Sequence, residues 1–425
     1  MTRSLRVAIV ARSVYPLHGH GGLERHVYDL TRYLADAGIQ VTLITREPKG
    51  EAGSERAAHS IHPSLRLITV PYWTFPLAGR RGTTVIDRST AYPLFGERAG
   101  RVALDLVKRQ EVDVVHGFGA SVLGYARQRA SVSAPLVMNP QGLEEFGATD
   151  PGRARLKRVA YLPLRKAVLV CAKAADRVIA TDSSLEPIVR RHLGLPASRI
   201  ATIPNAIDLA WLDRLATLAD GIQVRTEAGV ADDEVVLLSV GRLEESKGFH
   251  ILAEALAALR DHSPVIACGR WKWVVIGDGP FRGRLTAAIA RLGLRDRTLL
   301  TGRLDDRTLH AWYEGAGLFV HPTLYEGSSL VTLEAMAHRR AVVATNAGGL
   351  PDKVENGRSG WIVAPGDASA LAAAISGALA PGVSLAPLGA RGREIVERDF
   401  SWDAAAAATI RLYRSLLPHL PGTDS

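Results

Sequence analysis

Cysteine and long apolar runs are both scarce in this chain of 425 residues. Its two cysteines, Cys171 and Cys268, are too few for a disulfide framework or a cysteine-rich zinc site, and they predict a reducing compartment. No apolar run approaches the roughly 20 residues that span a bilayer. Arg12 breaks the short run near the amino terminus before it matches a signal peptide. We therefore expect a cytoplasmic protein without a membrane span.

Positive charge is in excess. The chain has 52 lysines and arginines against 43 aspartates and glutamates, which gives a net charge of +9. This balance favours partners that carry phosphate, namely nucleic acid, anionic lipid or a nucleotide-type substrate. Hydrophobic residues make up 47% of the chain, which excludes a disordered or fibrous protein. The length suits two domains of roughly 200 residues each.

Short β-branched runs alternate with stretches of helical periodicity along the whole chain. The predicted strands are Val7–Ala11, Val41–Thr45, Leu65–Val70, Val112–His116, Leu136–Asn139, Val178–Thr181, Val235–Val240, Trp273–Gly277, Thr298–Thr301, Leu318–His321, Ala341–Thr345 and Trp361–Val363. Apolar strands that alternate with helices indicate parallel sheets covered on both faces. The sequence therefore predicts an α/β protein of two doubly wound Rossmann-like domains. The expected active site is the cleft between them, at the carboxyl ends of strands.

Two signals divide the chain. The segment IPNAIDL, Ile203–Leu209, contains a Pro-Asn turn and follows a predicted strand. Near the other end, FSW leads into an alanine-rich helix predicted over Asp403–Leu417, with Ser401 as its N-cap. We therefore predict a first domain of residues 1–204, a second of residues 205–399 and a terminal helical segment of residues 400–425.

The most informative segment, HPTLYEGSSLVTLEAMA, begins at the end of a predicted strand. Gly327 lets the backbone approach a ligand, and Ser328 or Ser329 is suited to cap the following helix. The free amides of the first turn, from Gly327 to Leu330, predict a site for an anion such as phosphate.

Two carboxylates, Glu326 and Glu334, flank this turn at a spacing of eight positions. If the interval were wholly helical, the rise would be about 12 Å. Glycosidase acid–base pairs are roughly 5 to 9.5 Å apart, so this pair is poorly placed for that chemistry. It suits hydroxyl groups at the two ends of a ligand with an anionic middle, which is the shape of a nucleotide-sugar.

A second anion-binding element is VGRLEESKGFHIL, where Arg242 and Lys247 follow a predicted strand and are expected to converge on the same phosphates. Its spacing is not that of a Walker A loop, which disfavours a P-loop kinase or ATPase. The run GDGP indicates a tight turn rather than a dinucleotide fingerprint, because no glycine follows at the required position. The next strand ends in GRLDD, Gly302–Asp306, which offers backbone groups to a base.

In the first half, a glycine-rich loop joins the first predicted strand to the first helix. Gly21 and Gly22 let backbone amides reach a phosphate. His18 and His20 lie in the same loop, but no third metal ligand is evident, so we predict no metal site.

The ordered set GGLE, GRLEESKG, GDGP, E-x7-E, GGLPDKVENGRSGWIV, PGD and FSW resembles glycosyltransferase family 4, whose fold is GT-B. The resemblance extends from about Val7 to Leu417. It implies retaining transfer of a hexose from a nucleoside-diphosphate-sugar donor, a UDP- or GDP-sugar, to a hydroxyl of a glycan, a lipid-linked acceptor or a small molecule. It implies no metal and no cofactor, and a final helix that crosses back onto the first domain.

Matched position by position, the resemblance assigns catalytic roles to three residues. Arg242 and Lys247 would hold the diphosphate, and Glu326 would contact the donor sugar. The other donor-binding residues would be Gly21, Gly22, Arg303, Leu304, Gly327, Ser328, Ser329, Leu330 and Glu334, with Glu334 on the ribose and the backbone of Arg303 and Leu304 near the base. The acceptor-side residues would be His18, Glu24, His116 and Gln141.

Two positions depart from the family pattern. Gln141 stands where many relatives have a histidine, and an amide cannot carry a proton at neutral pH, which puts a general base there in doubt. Ala206 replaces the glycine that often follows Pro-Asn, at a cost of roughly 1 kcal/mol if this position needs a positive φ.

Three further questions stay open at this stage. The segments Pro71–Gly82 and Gly152–Lys166 combine basic with apolar residues, which suits either peripheral docking on the anionic inner face of a membrane or an ordinary packed loop and solvated helix. An epimerase or a sugar phosphorylase of the same fold is an alternative function. A non-catalytic nucleotide-sugar-binding or nucleic-acid-binding protein is another. The chain lacks clustered base-stacking aromatics, so we expect no nucleic-acid partner.

Overall fold

The computed structural model describes residues 4–19, 21–48, 59–73, 83–140, 143, 146, 159–262 and 270–417. The chain forms two compact units. The first comprises Met1–Pro204 together with Ala405–Ser425, and the second comprises Asn205–Ala404. Each unit is built around one sheet of parallel strands.

The first unit contains a seven-stranded sheet in the order β3-β2-β1-β4-β5-β6-β7. Its strands are β1 Arg6–Val10, β2 Gln40–Arg46, β3 Arg66–Val70, β4 Val114–Phe118, β5 Leu136–Asn139, β6 Arg177–Ala180 and β7 Ile200–Thr202. The described helices are α1 Gly22–Asp36, α2 Thr83–Lys108, α3 Leu123–Arg127, α4 Leu162–Ala174 and α5 Leu185–Leu193. The strand order reverses beside β1, which makes the carboxyl ends of β1 and β4 the expected place for a ligand.

The second unit contains a six-stranded sheet in the order β10-β9-β8-β11-β12-β13. Its strands are β8 Val235–Val240, β9 Trp271–Ile276, β10 Thr298–Gly302, β11 Leu318–His321, β12 Ala341–Thr345 and β13 Gly360–Val363. The described helices are α6 Leu209–Leu215, α7 Leu218–Glu227, α8 Phe249–His262, α9 Arg282–Arg291, α10 Asp306–Gly315, α11 Leu330–Ala337, α12 Ala368–Ala378 and α13 Ala386–Asp399. The strands β11 and β12 are buried along their whole length, as their continuous apolar sequences require.

The last helix, α14 Trp402–Ser415, returns the chain to the first unit. The hydroxyl of Ser401 accepts a hydrogen bond from the Ala404 N–H at 3.2 Å, which confirms it as the N-cap. Farther along, the hydroxyl of Tyr413 shares a 2.6 Å hydrogen bond with Nδ1 of His116 on β4. Both side chains are buried. The predicted return of this helix to the first domain is confirmed.

Within the second unit, the segment that enters it and the segment that leaves it are hydrogen-bonded to each other. The Ile207 N–H donates to the carbonyl of Phe400 at 2.9 Å, and the Trp402 N–H donates to the carbonyl of Ile207 at 3.2 Å. Among the described residues, Ala206 is not one of the non-glycine residues with a positive φ. The cost considered for alanine at this position is therefore absent.

Each predicted strand overlaps an observed one, so the α/β plan of two Rossmann-like sheets is confirmed. The fourth strand begins two residues later than predicted, at Val114, and ends two residues later, at Phe118. The sequence missed β7, because three residues, two half-buried and one exposed, are too few for a periodic signal. Cys171 is a buried free thiol, as expected, whereas Cys268 lies outside the described residues.

Candidate active site

The loops that follow β8 and β11 carry the predicted donor-side residues. These two strands are neighbours and run in parallel, so they end at the same edge of the second sheet. After β8, one turn of 3₁₀-helix, Glu245–Lys247, ends at Gly248, whose φ of +67° is left-handed. A Cβ atom at Gly248 would overlap the carbonyl oxygen of Pro322. Glycine therefore allows the Lys247 turn to contact the chain just after β11.

Backbone hydrogen bonds fix the loop around Glu326 on both sides. On one side, the carbonyl of Ser246 accepts from the Leu324 N–H at 2.8 Å. On the other, the Gly349 N–H donates to the carbonyl of Gly327 at 3.1 Å. The position of the Glu326 side chain is thus set by two segments that are distant in sequence.

Glu326 is the centre of a small ionic cluster. Its Oε2 atom accepts a hydrogen bond from Nζ of Lys247 at 2.8 Å and another from Nε2 of His321 at 2.8 Å. Burial opposes ionisation of this carboxyl, but the hydrogen bonds and charges of His321 and Lys247 outweigh it and lower the pKa of Glu326 to about 2. The cluster therefore presents a permanent carboxylate and a lysine ammonium at the strand edge.

The helix α11 begins directly after this cluster. Ser329 is its N-cap, and its hydroxyl accepts from the Thr332 N–H at 3.4 Å. The Gly327 N–H donates to Oε1 of Glu326 at 3.2 Å, so this predicted phosphate donor already contacts the carboxylate. The Ser328 hydroxyl is buried without a hydrogen-bond partner among the described residues. The N–H groups of Ser328, Ser329 and Leu330 precede the first helical hydrogen bond, and they remain the candidate anion donors.

Glu334 occupies the second turn of α11, where it is partly buried. The hydroxyl of Tyr313, on α10, donates to its Oε2 atom at 2.9 Å. Burial raises the pKa of Glu334 to about 7, even though the hydrogen bond from Tyr313 acts in the opposite direction. The ring of Tyr313 stacks on His338 with an interplanar angle of 4°, which fixes the hydroxyl. Unlike Glu326, this carboxyl is poised between its neutral and charged forms near pH 7.

The remaining donor-side predictions fall on exposed loops. The guanidinium of Arg242 is 3.1 Å from Oε1 of Glu244 and its side chain is 64% exposed. Arg242 and Lys247 thus hold different carboxylates, and their expected convergence on one phosphate stays a prediction. Arg303 is exposed and Leu304 is half-buried just after β10, and their contact with a base stays a prediction.

In the first unit, the glycine-rich loop leads into α1. Gly21 is the N-cap of this helix and Gly22 its first residue, and both are exposed. A Cβ atom at Gly22 would meet nothing within 4 Å, so a ligand could approach this backbone closely. The carboxylate of Glu24 folds back onto Gly21, where an added Cβ would overlap it. His20, in the same loop, lies outside the described residues.

His18 has both ring nitrogens engaged by backbone groups. Its Nδ1 accepts from the Val14 N–H at 3.1 Å, and its Nε2 donates to the carbonyl of Arg46 at 2.9 Å. Burial and the charge of Arg46 lower the pKa of His18. The structure thus gives His18 a role in holding the loop, and these bonds do not favour its predicted contact with an acceptor.

His116 is buried in the first unit and bonded to Tyr413 through Nδ1. Burial, and secondarily the proximity of His26, lowers the pKa of His116 to about 3, so the ring is neutral near pH 7. Its Nε2 has no hydrogen-bond partner among the described residues. His116 therefore anchors the last helix, and an acceptor contact through Nε2 stays a prediction. Gln141, the remaining acceptor-side residue, lies outside the described residues.

Two family models match separate parts of this chain. The family model "Glycosyltransferase Family 4" matches residues 20–211, and "Glycosyl transferases group 1" matches residues 234–380. The chain is 32% identical to a D-inositol 3-phosphate glycosyltransferase of Streptomyces bingchenggensis, over 97% of this chain and 89% of the relative. This chain belongs to glycosyltransferase family 4. As a family member it is a hexosyltransferase.

Solved structures show that this glycosyltransferase has the GT-B fold. Sucrose-phosphate synthase from Thermosynechococcus elongatus superposes with a TM-score of 0.72 at 26% identity, over 97% of this chain and 99% of that one. Anabaena HepE, crystallised with UDP and glucose, superposes with a TM-score of 0.67 at 21% identity, over 97% and 100% of the two chains. The second likeness supports the fold alone.

Two residues near the site of this glycosyltransferase were missed by sequence reasoning. His321 holds the Glu326 carboxylate. The sequence did offer a signal for it, because His321 is the last residue of a predicted strand and lies five positions before Glu326. Tyr313 holds Glu334 from a different helix, and no local pattern in the sequence connects them.

Within the described parts of the glycosyltransferase, no group of three or more His, Cys, Asp or Glu side chains is arranged to hold a metal ion. The predicted independence of metal stays a prediction. Likewise, among the helices that the structure describes, none has the length and apolar character needed to cross a membrane.

Proposed function

We propose that this glycosyltransferase moves a hexose from a nucleoside-diphosphate-sugar to an acceptor hydroxyl, with retention of anomeric configuration and without a metal ion. The observation that carries the proposal is the cluster of Lys247, Glu326 and His321 beside the first turn of α11. It combines a cation, a fixed carboxylate and helix-terminal N–H groups at one sheet edge. The cation and the N–H groups suit the diphosphate of a nucleotide-sugar, and the carboxylate suits the hydroxyl groups of its sugar.

The state of Glu326 supports a binding role rather than a chemical one. A carboxyl with a pKa of about 2 does not act as a general acid or base near neutral pH. Its Oε2 accepts two hydrogen bonds and its Oε1 accepts one from Gly327, which makes it a weak nucleophile. Glu326 therefore suits recognition of a sugar hydroxyl. The proposed reaction needs no covalent intermediate on this residue.

Retention then follows from chemistry on one face of the sugar. The bond from the anomeric carbon to the diphosphate oxygen breaks, and the acceptor oxygen forms its bond on the same face. The departing phosphate oxygen takes the acceptor proton. Negative charge grows on the diphosphate in this step, and Lys247, Arg242 and the N–H groups of α11 are the proposed groups that stabilise it. Removal of one such donor typically costs about 10²–10³ in rate.

The donor and the acceptor are proposed from different observations. Glu334 is partly buried and held by Tyr313, which suits a carboxylate that receives hydrogen bonds from ribose hydroxyls. The relative from Streptomyces is named for D-inositol 3-phosphate, so phosphorylated polyols are candidate acceptors. UDP- and GDP-sugars are the proposed donors, and ADP-sugars are included because another structural neighbour was solved with ADP.

Thermal-shift titration with UDP-, GDP- and ADP-sugars tests the donor, and NMR of the product tests retention. Lys247→Ala and Glu326→Ala are expected to keep the fold and to lose nearly all transfer. Arg270 and Asp233 provide a matched control, because they form an ion pair at 3.4 Å whose side chains are 67% and 61% exposed, next to the amino ends of β9 and β8. Arg270→Ala and Asp233→Ala should transfer at nearly the wild-type rate. Near-normal turnover of both cluster variants would contradict the assigned roles.

The same assay separates the alternative functions. Consumption of donor without any acceptor would indicate an epimerase, and dependence on inorganic phosphate would indicate a phosphorylase. Salt-sensitive binding of RNA or DNA with no response to nucleotide-sugars would indicate a nucleic-acid-binding protein. Transfer that persists in excess EDTA supports the proposed metal independence.

We also propose peripheral contact with an anionic membrane through α4 and the residues before it. Val159 and Leu162 are 74% and 45% exposed, beside the basic residues Arg165 and Lys166. Exposed apolar side chains next to cations suit a surface rich in anionic lipid. Sedimentation with liposomes that contain or lack anionic lipid tests this contact, and equal binding to both would exclude it.

A further inference from the structure

Two arginines lie side by side at the carboxyl edge of the first sheet. The strands β1 and β2 pair in parallel with Val10 opposite Ile44, and the Ala11 N–H extends this ladder to the carbonyl of Ile44 at 3.0 Å. Two residues beyond the paired positions, Arg12 follows β1 and Arg46 ends β2. Neighbouring strands are about 4.8 Å apart, so these two arginines start from adjacent points of the same edge.

Each guanidinium rests on a tyrosine ring. The Arg12 guanidinium carbon is 4.9 Å from the ring centre of Tyr92, and that of Arg46 is 5.3 Å from the ring centre of Tyr72. The Tyr92 ring is itself fixed, because its hydroxyl donates to the carbonyl of Phe118 at the end of β4 at 2.7 Å. A guanidinium held against an aromatic ring is stabilised by a cation–π contact. The tyrosines thus fix the positions of the two guanidinium groups.

Arg12 forms no ion pair with a carboxylate among the residues that the structure describes. Its Nε is buried without a hydrogen-bond partner there. A buried donor without an acceptor is unfavourable by itself, and this favours an anionic ligand at this position. Arg46 is close enough to lower the pKa of His18, which adds positive potential at the same edge.

We infer that Arg12 and Arg46 form an oxyanion site on the first unit that binds the phosphate group of a phosphorylated acceptor. The inference rests on the proposed transfer function, because it assigns the acceptor of that reaction to a chemical class. Two planar forks are suited to bidentate contacts with a phosphate monoester. The phosphate would fix one end of the acceptor, and a hydroxyl elsewhere on it would receive the sugar.

The test compares Arg12→Met and Arg46→Met with Arg66→Met. Methionine keeps an unbranched stem against each tyrosine and removes the charge. Arg66 begins β3 at the opposite edge of the same sheet, pairs with Glu111 and is 55% exposed, so it controls for the loss of one positive charge. The acceptors are myo-inositol, its monophosphate, and vesicles with or without phosphatidylinositol. Inorganic phosphate serves as a probe of the site alone.

The wild type should transfer to the phosphorylated acceptor and not to free inositol. Arg12→Met and Arg46→Met should each raise the KM for that acceptor about ten- to hundredfold, the range for lost hydrogen bonds to a charged group. The donor KM should stay within about twofold of wild type. Inorganic phosphate should compete with the acceptor in the wild type and in Arg66→Met, and this competition should weaken in the other two variants.

The arms of the experiment separate the outcomes. Transfer to the soluble monophosphate or to phosphatidylinositol vesicles supports the site and identifies the source of the phosphate group. An unchanged acceptor KM in both variants, or equal use of free inositol, overturns the inference while the proposed transfer stands. If no nucleotide-sugar binds the wild type, the proposed function fails. In that case, thermal stabilisation by inorganic phosphate that depends on Arg12 would still support the oxyanion site. If phosphate gives no such stabilisation, the oxyanion site is overturned together with the proposed function.

Discussion

A single added methyl group at Gly348 should disable the donor site without unfolding the protein. Gly348 follows β12 and has a left-handed φ of +54°. A Cβ atom there would overlap the carbonyl oxygen of Glu326, and it would lie 2.8 Å from the Glu326 carbonyl carbon and 3.0 Å from the Gly327 carbonyl oxygen. All three neighbours are backbone atoms, so no side-chain rotation relieves the overlap.

The size of the effect follows from these distances. Ordinary carbon contacts begin near 3.4 Å, so the loop with Glu326 must move by roughly 1 Å in Gly348→Ala. A displacement of this size near a reacting centre can lower the rate about 10²-fold. Gly357→Ala is the matched control, because Gly357 has a similar φ of +75° but nothing within 4 Å of its Cβ position. Both variants carry the backbone cost of about 1–2 kcal/mol for alanine in this conformation.

The assay measures kcat/KM for transfer and the free energy of unfolding in urea for both variants. The kcat/KM of Gly348→Ala should be about 10²-fold lower than that of Gly357→Ala. The free energies of unfolding of the two variants should differ by about 1–3 kcal/mol, the usual cost of overpacking. If both variants transfer sugar at the same rate, the loop between Gly348 and Glu326 does not position the donor, and the reasoning is refuted.

Two other results are expected. Because a ligand hydroxyl binds the charged form of Glu334, whose pKa is about 7, affinity for a nucleoside diphosphate should rise with pH up to about 7 and then level off, whereas Glu334→Gln should show a flat profile. A wild-type affinity that does not change with pH would exclude the ribose role of Glu334. The same raised pKa means that ionisation of Glu334 lowers the free energy of unfolding as pH rises from 4.5 to 7. Tyr413→Phe should lower the free energy of unfolding by about 1–3 kcal/mol, because Nδ1 of His116 would stay buried without its partner. A loss below about 0.5 kcal/mol in urea unfolding would contradict that account.

Much of the fold could be predicted because its strands are continuous apolar runs. Such runs, in alternation with helices, have few stable arrangements other than parallel sheets covered by helices, so they predicted both sheets.

The local structure between Glu326 and Glu334 was harder to predict. Its helical rise of about 12 Å assumed a helix throughout, but α11 begins only at Leu330, so the first half of the interval is a loop.

The partners of the site residues could not be read from the sequence. Glu326 and Glu334 belong to one motif, yet their environments shift their pKa values in opposite directions. The pKa of Glu326 is lowered by His321, five positions away, and by Lys247, 79 positions away. The pKa of Glu334 is raised by burial, against the hydrogen bond from Tyr313. Local patterns identified the carboxylates, whereas their ionisation depends on contacts that only the fold creates.

The bond between His116 and Tyr413 has a consequence for the order of events during translation. The two residues are 297 positions apart in the chain. At about 5–20 residues per second, a ribosome adds Tyr413 roughly 15 to 60 seconds after His116. The first unit, although begun earlier, therefore lacks its last segment until the whole second unit, Asn205–Ala404, has been synthesised. A released chain truncated after Ala404 should leave the first unit unfinished and the second intact, which limited proteolysis can detect.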